Sequence, residues 1–201
     1  AMTEWGTMRR FCGLGGASLP YNRSNEEGPA RRGGTMAESR IVNEPRSKNP
    51  LAKAIRELLE HRALWLYLLT DEAAKAGADP AAFAPAAVKR CGLFQGAELV
   101  AKGGGTNSLK SLKKGLFGKP AQMVFEMDVK DVQDDRFELE FHYCPLVKAW
   151  QKQGCTDEEI SNLCDWAMCG DRGIGEAYGC DLDLPKTIAR GDDVCHLIYH
   201  R

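Results

Sequence analysis

The sequence contains no apolar run near the roughly 18 residues that a membrane-spanning helix requires, so no membrane span is expected. Its second half also lacks a basic face, because residues 121–201 carry 8 Lys and Arg against 17 Asp and Glu. A nucleic-acid partner is therefore not expected. With 43% hydrophobic and 27% charged residues, the composition is typical of a globular protein. We expect a cytoplasmic protein that acts on a small molecule.

The cysteines lack the close pairs that metal sites use. Six of the eight lie between Cys144 and Cys195, yet no two of the eight have CxxC spacing. The sequence runs that hold iron–sulfur clusters are absent as well. We therefore expect no cofactor and no metal, and thiols that are mostly reduced. The alternative is a non-catalytic, cysteine-rich module that binds a metal or senses redox state.

Residues 1–45 differ from the rest of the chain in having almost no apolar periodicity. Their content of Gly, Arg, Asn, Glu and Ser predicts a flexible arm without its own core. Arg31–Thr35 lie directly before Met36, and the codons for these residues can contain a bacterial ribosome-binding sequence. We hypothesise that translation starts at Met36 and that residues 1–35 are not native; an arm that docks on a partner subunit is the alternative. Residues 46–201 are predicted to form a single α+β domain.

Two helices are predicted at the start of this domain, and both begin with a capping residue followed by proline. Asn49-Pro50 opens a helix whose leucines recur at helical spacing up to a stop at Gly77. Asp79-Pro80 opens a second helix that should end before Gly92. Further along, Thr156 and Glu159 form a capping-box pattern, which predicts a helix that ends at Gly170.

The strands are predicted from period-two alternation of apolar and polar residues. Residues 123–130 and 137–144 alternate in this way around a polar turn, which predicts an antiparallel hairpin. Residues 194–199 are predicted to form a final strand. The predicted fold is therefore α+β, with an N-terminal helical pair packed on a small antiparallel sheet and an inserted C-terminal helix. The polar face of the hairpin leaves room for a homodimer.

Candidate catalytic groups cluster in the cysteine-rich third. Alternation along the second strand places His142 and Cys144 on one face, where the imidazole would favour the thiolate. Asp171 lies in a glycine-rich segment that is predicted to be a loop open to a ligand. For each other cysteine a small buried hydrophobe is the simpler interpretation; for Asp171 the alternative is a helix cap.

The same residues resemble the L-2-amino-thiazoline-4-carboxylic acid hydrolase family. The resemblance is carried by Cys144-Pro145, Leu163-Cys164, Asp171 and a terminal Gly191-Asp192 with Cys195, together with Trp150 and Gly154, and it is clearest over residues 137–201. It implies a hydrolase that acts on the non-peptide carbon–nitrogen bonds of a cyclic amidine. Water would add at C2 of the thiazoline ring to give N-carbamoyl-L-cysteine, a step in L-cysteine metabolism.

With this resemblance, the catalytic residues are expected to be Cys144, Asp171 and His142. Cys144 would attack the amidine carbon or orient water toward it, while Asp171 and His142 transfer protons. Arg172 and Cys195 are expected to bind the substrate, with the arginine pairing with its carboxylate.

Overall fold

The computed structural model describes residues 39–201, so the predictions for residues 1–38, including the start at Met36, lie outside the described residues. Within residues 39–201 the chain forms six α-helices and four strands in an α+β arrangement, which confirms the predicted class. No helix in this part of the chain is long and apolar enough to cross a membrane. The helices are α1 (Pro50–Lys75), α2 (Ala84–Lys102), α3 (Leu109–Leu116), α4 (Lys119–Phe125), α5 (Pro145–Lys152) and α6 (Asp157–Tyr178).

The strands are β1 (Met127–Val132), β2 (Arg136–Phe141), β3 (Asp181–Lys186) and β4 (Cys195–His200). They form one antiparallel sheet in the order β1-β2-β4-β3. The predicted β1–β2 hairpin is present, but its first strand starts later, since residues up to Phe125 belong to α4. Strand β3 was not predicted; its Pro185 is tolerated because β3 lies at the edge of the sheet.

The apolar core lies on one face of this sheet. Alternate residues of β2 and β4 are buried there, among them Phe137, Leu139, Leu197 and Tyr199. The rings of Phe137 and Tyr199 stack with centroids 4.6 Å apart. Glutamates and histidines alternate with the buried residues and project from the outer face. The sheet therefore separates an apolar interior from a polar outer surface.

Helix α1 starts as predicted, because the Asn49 side chain accepts hydrogen bonds from the amides of Leu51 and Ala52. The two N-terminal helices do not form the predicted pair on the sheet: α1 packs mainly on α5 and α4, whereas α2 packs along α6. The capping box of Thr156 and Glu159 is present at the start of α6.

Helices α2 and α6 both continue through glycines that were predicted to end them. A Cβ atom on Gly92 would lie 1.9 Å from the carbonyl oxygen of Gly170, and one on Gly173 would lie 2.4 Å from that of Lys89. The glycines are therefore sites of close contact between two helix backbones. This tertiary contact outweighs the roughly 1 kcal/mol by which a glycine disfavours a helix interior.

Residues 39–45, predicted as part of a flexible arm, lie extended against the domain. Ile41 and Asn43 are buried, and the Ser39 hydroxyl donates a 2.6 Å hydrogen bond to Asp157. The Gln151 side chain donates to the carbonyl oxygen of Ile41 at 3.1 Å. The difference arises because these contacts are made with residues more than 100 positions away, which local composition does not reveal.

Candidate functional site

Cys144 lies at the junction of strand β2 and helix α5. It is the N-terminal capping residue of α5, and Pro145 occupies the first helical position. The buried side chain of Asn43 holds its backbone from both sides: Asn43 Oδ1 accepts from the Cys144 amide at 2.9 Å, and Nδ2 donates to the Cys144 carbonyl at 2.8 Å. Cys144 is thus fixed by a residue that the sequence pattern did not single out.

Cys144 is partly buried and packs against the apolar core, which includes Cys164 and Cys195. Burial raises the pKa of the thiol, and the negative charge of Asp171 raises it further. The amides of Leu146 and Val147, at the start of α5, lower this pKa, as does the charge of Arg62. The thiol is therefore protonated near neutral pH unless a base removes its proton.

Asp171 lies in the middle of α6, and not in the loop that was predicted, because α6 continues past Gly170. Burial raises the pKa of its carboxyl from an ordinary 3.8 to about 6. The charge of Arg62, a hydrogen bond from the Tyr199 hydroxyl at 3.4 Å and the charge of Arg172 all act in the opposite direction. Near neutral pH this carboxyl is able both to accept and to release a proton, which suits a general base.

Two residues of this site were missed in the sequence. Arg62, on α1, affects the pKa of Asp171 more strongly than the adjacent Arg172 does. Nothing in the helical pattern of α1 distinguishes Arg62 from a surface residue. Tyr199 is fully buried, and a buried tyrosine hydroxyl usually requires a partner; the predicted burial of this strand was therefore a usable signal.

His142 lies on the other side of the sheet. Its Nε2 is 2.9 Å from Oδ2 of Asp128, and both groups belong to the outer face that also carries Glu140. The prediction that His142 and Cys144 share a face is wrong, because strand β2 ends at Phe141 and its alternation stops there. The charge of Asp171 acts on the Cys144 thiol, whereas His142 contacts Asp128.

Cys195 is buried, and its sulfur accepts a hydrogen bond from the Ile188 amide at 3.3 Å. Burial raises the pKa of this thiol to about 12. The bond ties β4 to the short 3₁₀ turn at Ile188–Arg190. The predicted role of Cys195 in substrate binding stays a prediction.

In residues 39–201, a single group of three acidic, cysteine or histidine side chains has ligand atoms within 4.8 Å of one another: Asp128, Glu140 and His142. This group contains no cysteine. The seven described cysteines are all free thiols. The cysteine-rich frame is therefore not arranged as a three-cysteine ligand set in this part of the chain.

Comparisons with known proteins show the family to which the chain belongs. No curated protein sequence matches the chain. One similar solved structure is a trafficking protein particle complex subunit 3 from Naegleria fowleri covalently bound to palmitic acid, with a TM-score of 0.44 and 17% identity, covering 74% of this chain and 95% of that chain. The model of the L-2-amino-thiazoline-4-carboxylic acid hydrolase family matches residues 56–199, which include Arg62, Cys144 and Asp171. The chain therefore belongs to the L-2-amino-thiazoline-4-carboxylic acid hydrolase family.

Proposed function

We propose that the protein hydrolyses a small cyclic amidine, with 2-amino-thiazoline-4-carboxylate as the first candidate substrate. The observation that supports this proposal is the Asp171 carboxyl, whose pKa burial raises to about 6 and whose negative charge acts on the Cys144 thiol. A thiol and a carboxyl that exchanges its proton near neutral pH are suited to adding a nucleophile to an amidine carbon. Family membership supports the same class of reaction.

The atoms of the proposed reaction determine which bond breaks. An N-carbamoyl product keeps both nitrogens on the former C2 carbon, so the ring must open at the bond between C2 and the ring sulfur. Water supplies the new carbonyl oxygen, and its two protons finish on the freed thiol and on a nitrogen. The carbon–nitrogen double bond of the ring is therefore where water or a thiol adds. The bond that breaks is the one between C2 and the ring sulfur.

Asp171 acts as the base in either of two routes. In the covalent route, Asp171 takes the proton of Cys144, the sulfur attacks C2, and the ring sulfur leaves with a proton; water then releases the product from Cys144. In the direct route, Asp171 takes a proton from water, which attacks C2 while Cys144 orients it. The amides of Leu146 and Val147 stabilise negative charge on the sulfur in the covalent route.

The substrate carboxylate is expected to be bound by Arg62 or Arg172. Arg62 and Arg172 both lower the pKa of the Asp171 carboxyl, so both present positive charge to the site. An arginine is suited to pair with a carboxylate through two parallel hydrogen bonds. Arg172, which is half-buried and adjacent to Asp171 in α6, and Arg62, which is exposed on α1, are the two candidates for this role.

The test is release of a new thiol from 2-amino-thiazoline-4-carboxylate, since the substrate has none and the product has one. Wild-type protein should release one thiol per substrate consumed, measured against protein alone. Cys144→Ser should abolish turnover but retain binding if the route is covalent. Full activity in Cys144→Ala excludes this thiol from the mechanism, and a wild-type protein that binds the compound without releasing thiol contradicts the hydrolase proposal.

A further inference from the structure

Helix α1 has apolar residues on two opposite faces. One face, with Ala52 and Ala63, is buried against the domain. The other is open: Leu58 is 71% exposed and Trp65 is 60% exposed. We call this second face the α1 outer stripe and define it by Leu51, Ala54, Leu58, His61, Trp65 and Leu68, all of which are exposed.

The α1 outer stripe has the spacing of a helix that pairs with another helix. Its positions follow one another at alternating steps of three and four residues, as the a and d positions of a coiled-coil heptad do. Lys53 and Glu57, 4.0 Å apart, lie beside the stripe and give it a charged border. An apolar centre with a polar border is the usual anatomy of a protein interface.

The stripe is complementary to itself when two copies run antiparallel. With a two-fold axis between residues 59 and 60, Leu51 is level with the partner's Leu68, Ala54 with the partner's Trp65, and Leu58 with the partner's His61. A small residue thus faces the largest one, which lets the two helices approach closely. The imidazole of His61 already has a hydrogen-bond partner within the stripe, because the Trp65 indole N–H donates to His61 Nε2 at 3.3 Å.

The area is close to the smallest that a specific dimer buries. The three leucines of the stripe are 44–71% exposed and Trp65 is 60% exposed. This amounts to about 350 Å² of apolar surface per copy, taking about 100–150 Å² for a full leucine side chain and about 150–250 Å² for tryptophan. Two copies that cover this surface would bury about 700 Å². Since homodimer interfaces are about 65% apolar, the total is about 1,100 Å², just above the roughly 1,000 Å² that a specific interface needs.

We propose that the α1 outer stripe is the interface of an antiparallel, two-fold symmetric homodimer of this protein. The proposal does not depend on the hydrolase activity, because its readout is molecular mass. Leu58 lies next to the two-fold axis, so one substitution there is present twice at the centre. The other occupants of the stripe, such as the chain's own residues 1–38 or a different protein, would leave the purified full chain monomeric.

The test is sedimentation equilibrium on the full chain and on two matched variants. The wild type should have twice the 22.1 kDa mass of one chain. Leu58→Glu should be monomeric, with a dissociation constant raised at least about 100-fold, because it brings two carboxylates together at the axis. Phe94→Glu, which changes a residue of α2 that is 68% exposed, should remain dimeric. Circular dichroism should show the same helix content for all three.

Cysteine cross-linking tests the register, in a background where Cys12 and the exposed Cys91 are replaced by serine. At 1.5 Å of rise per residue, two copies of Leu58→Cys lie about 4.5 Å apart along the axis and should cross-link, whereas two copies of Leu51→Cys lie about 25 Å apart and should not. Mixing Leu51→Cys with Leu68→Cys should give a cross-linked heterodimer. A monomeric wild type, a dimeric Leu58→Glu, a monomeric Phe94→Glu or self-linking of Leu51→Cys would each overturn the proposal.

Discussion

The two sides of the sheet use the same kinds of side chains with different results. On the outer face, His142 pairs with Asp128, His196 with Glu138 and His200 with Asp183, at 2.9 to 3.1 Å. Their partners Asp128 and Glu138 have pKa values lowered by hydrogen bonds to the outer-face cations and imidazoles. On the inner side, burial raises the pKa of Asp171 to about 6 although two arginines oppose it. Solvation and the nearest partner, more than residue type, decide which carboxyl is ready to transfer a proton.

The largest effect of a substitution is expected on catalytic activity. Asp171→Asn should lower kcat/KM at least about 100-fold, because the inner base is lost, whereas His142→Gln on the outer face should stay within about threefold of wild type. The measurement is the pH dependence of thiol release. In wild type, kcat/KM should rise as pH increases through about 6, where Asp171 becomes ionised. Loss of activity in His142→Gln with normal folding would restore His142 to the mechanism.

The second largest effect is expected on stability, at the buried guanidinium of Arg56. Arg56 is buried, and its Nη2 forms a 2.9 Å ion pair with Glu126 and also donates to the carbonyl oxygen of Met123. Its Nε and Nη1 donate to the carbonyl oxygens of Val124 and Ser47. Its guanidinium also lies 4.5 Å from the ring centre of Tyr143. Arg56→Met should lower the free energy of unfolding by about 3–5 kcal/mol, because Glu126 is left buried without its cation.

Urea unfolding measures this loss, and the exposed i,i+4 pair of Lys53 and Glu57 provides the control. Lys53→Met should change the free energy of unfolding by no more than about 0.5 kcal/mol. Equal losses in the two variants would mean that burial does not distinguish the pairs.

Asp171 is expected to limit stability as well as to support catalysis. Its folded pKa lies above its unfolded value of 3.8, so the unfolded state ionises first and stability falls as pH rises from about 4 through about 6. Asp171→Asn removes this effect and can still accept the hydrogen bond from Tyr199. It should raise the free energy of unfolding at pH 8 by about 1–3 kcal/mol.

The same measurement at pH 4 is the control for Asp171→Asn. There the carboxyl is protonated in the folded protein, so the gain should shrink toward zero. A gain that is equal at both pH values would show that desolvation of the charge is not its cause.

The smallest effect is expected on the outer face. His200→Gln removes an exposed pair with Asp183 and should change the free energy of unfolding by no more than about 0.5 kcal/mol at pH 7. A loss above about 1 kcal/mol in urea unfolding would show that the outer pairs form a cooperative network rather than separate surface contacts.

Local sequence signals determined much of the fold. Asn49-Pro50, the capping box of Thr156 and the alternation of Phe137, Leu139 and Phe141 each specify a hydrogen-bonding or burial pattern within a few residues. The cysteine-rich frame also indicated the family. These features could be predicted because the groups that decide them are neighbours in the chain.

Tertiary structure alone decided what depends on distant contacts. Gly92 does not end α2, because it allows the backbone of Gly170 to approach, and α6 continues past Gly170 with Gly173 against the backbone of Lys89. The backbone of Cys144 is held by the side chain of Asn43, which lies 101 positions away in the sequence. The charges of Arg62 and Asp171 come together only through folding, over 109 positions of sequence. Burial then sets the pKa of Asp171, since desolvation is a property of the folded surroundings and not of the residue.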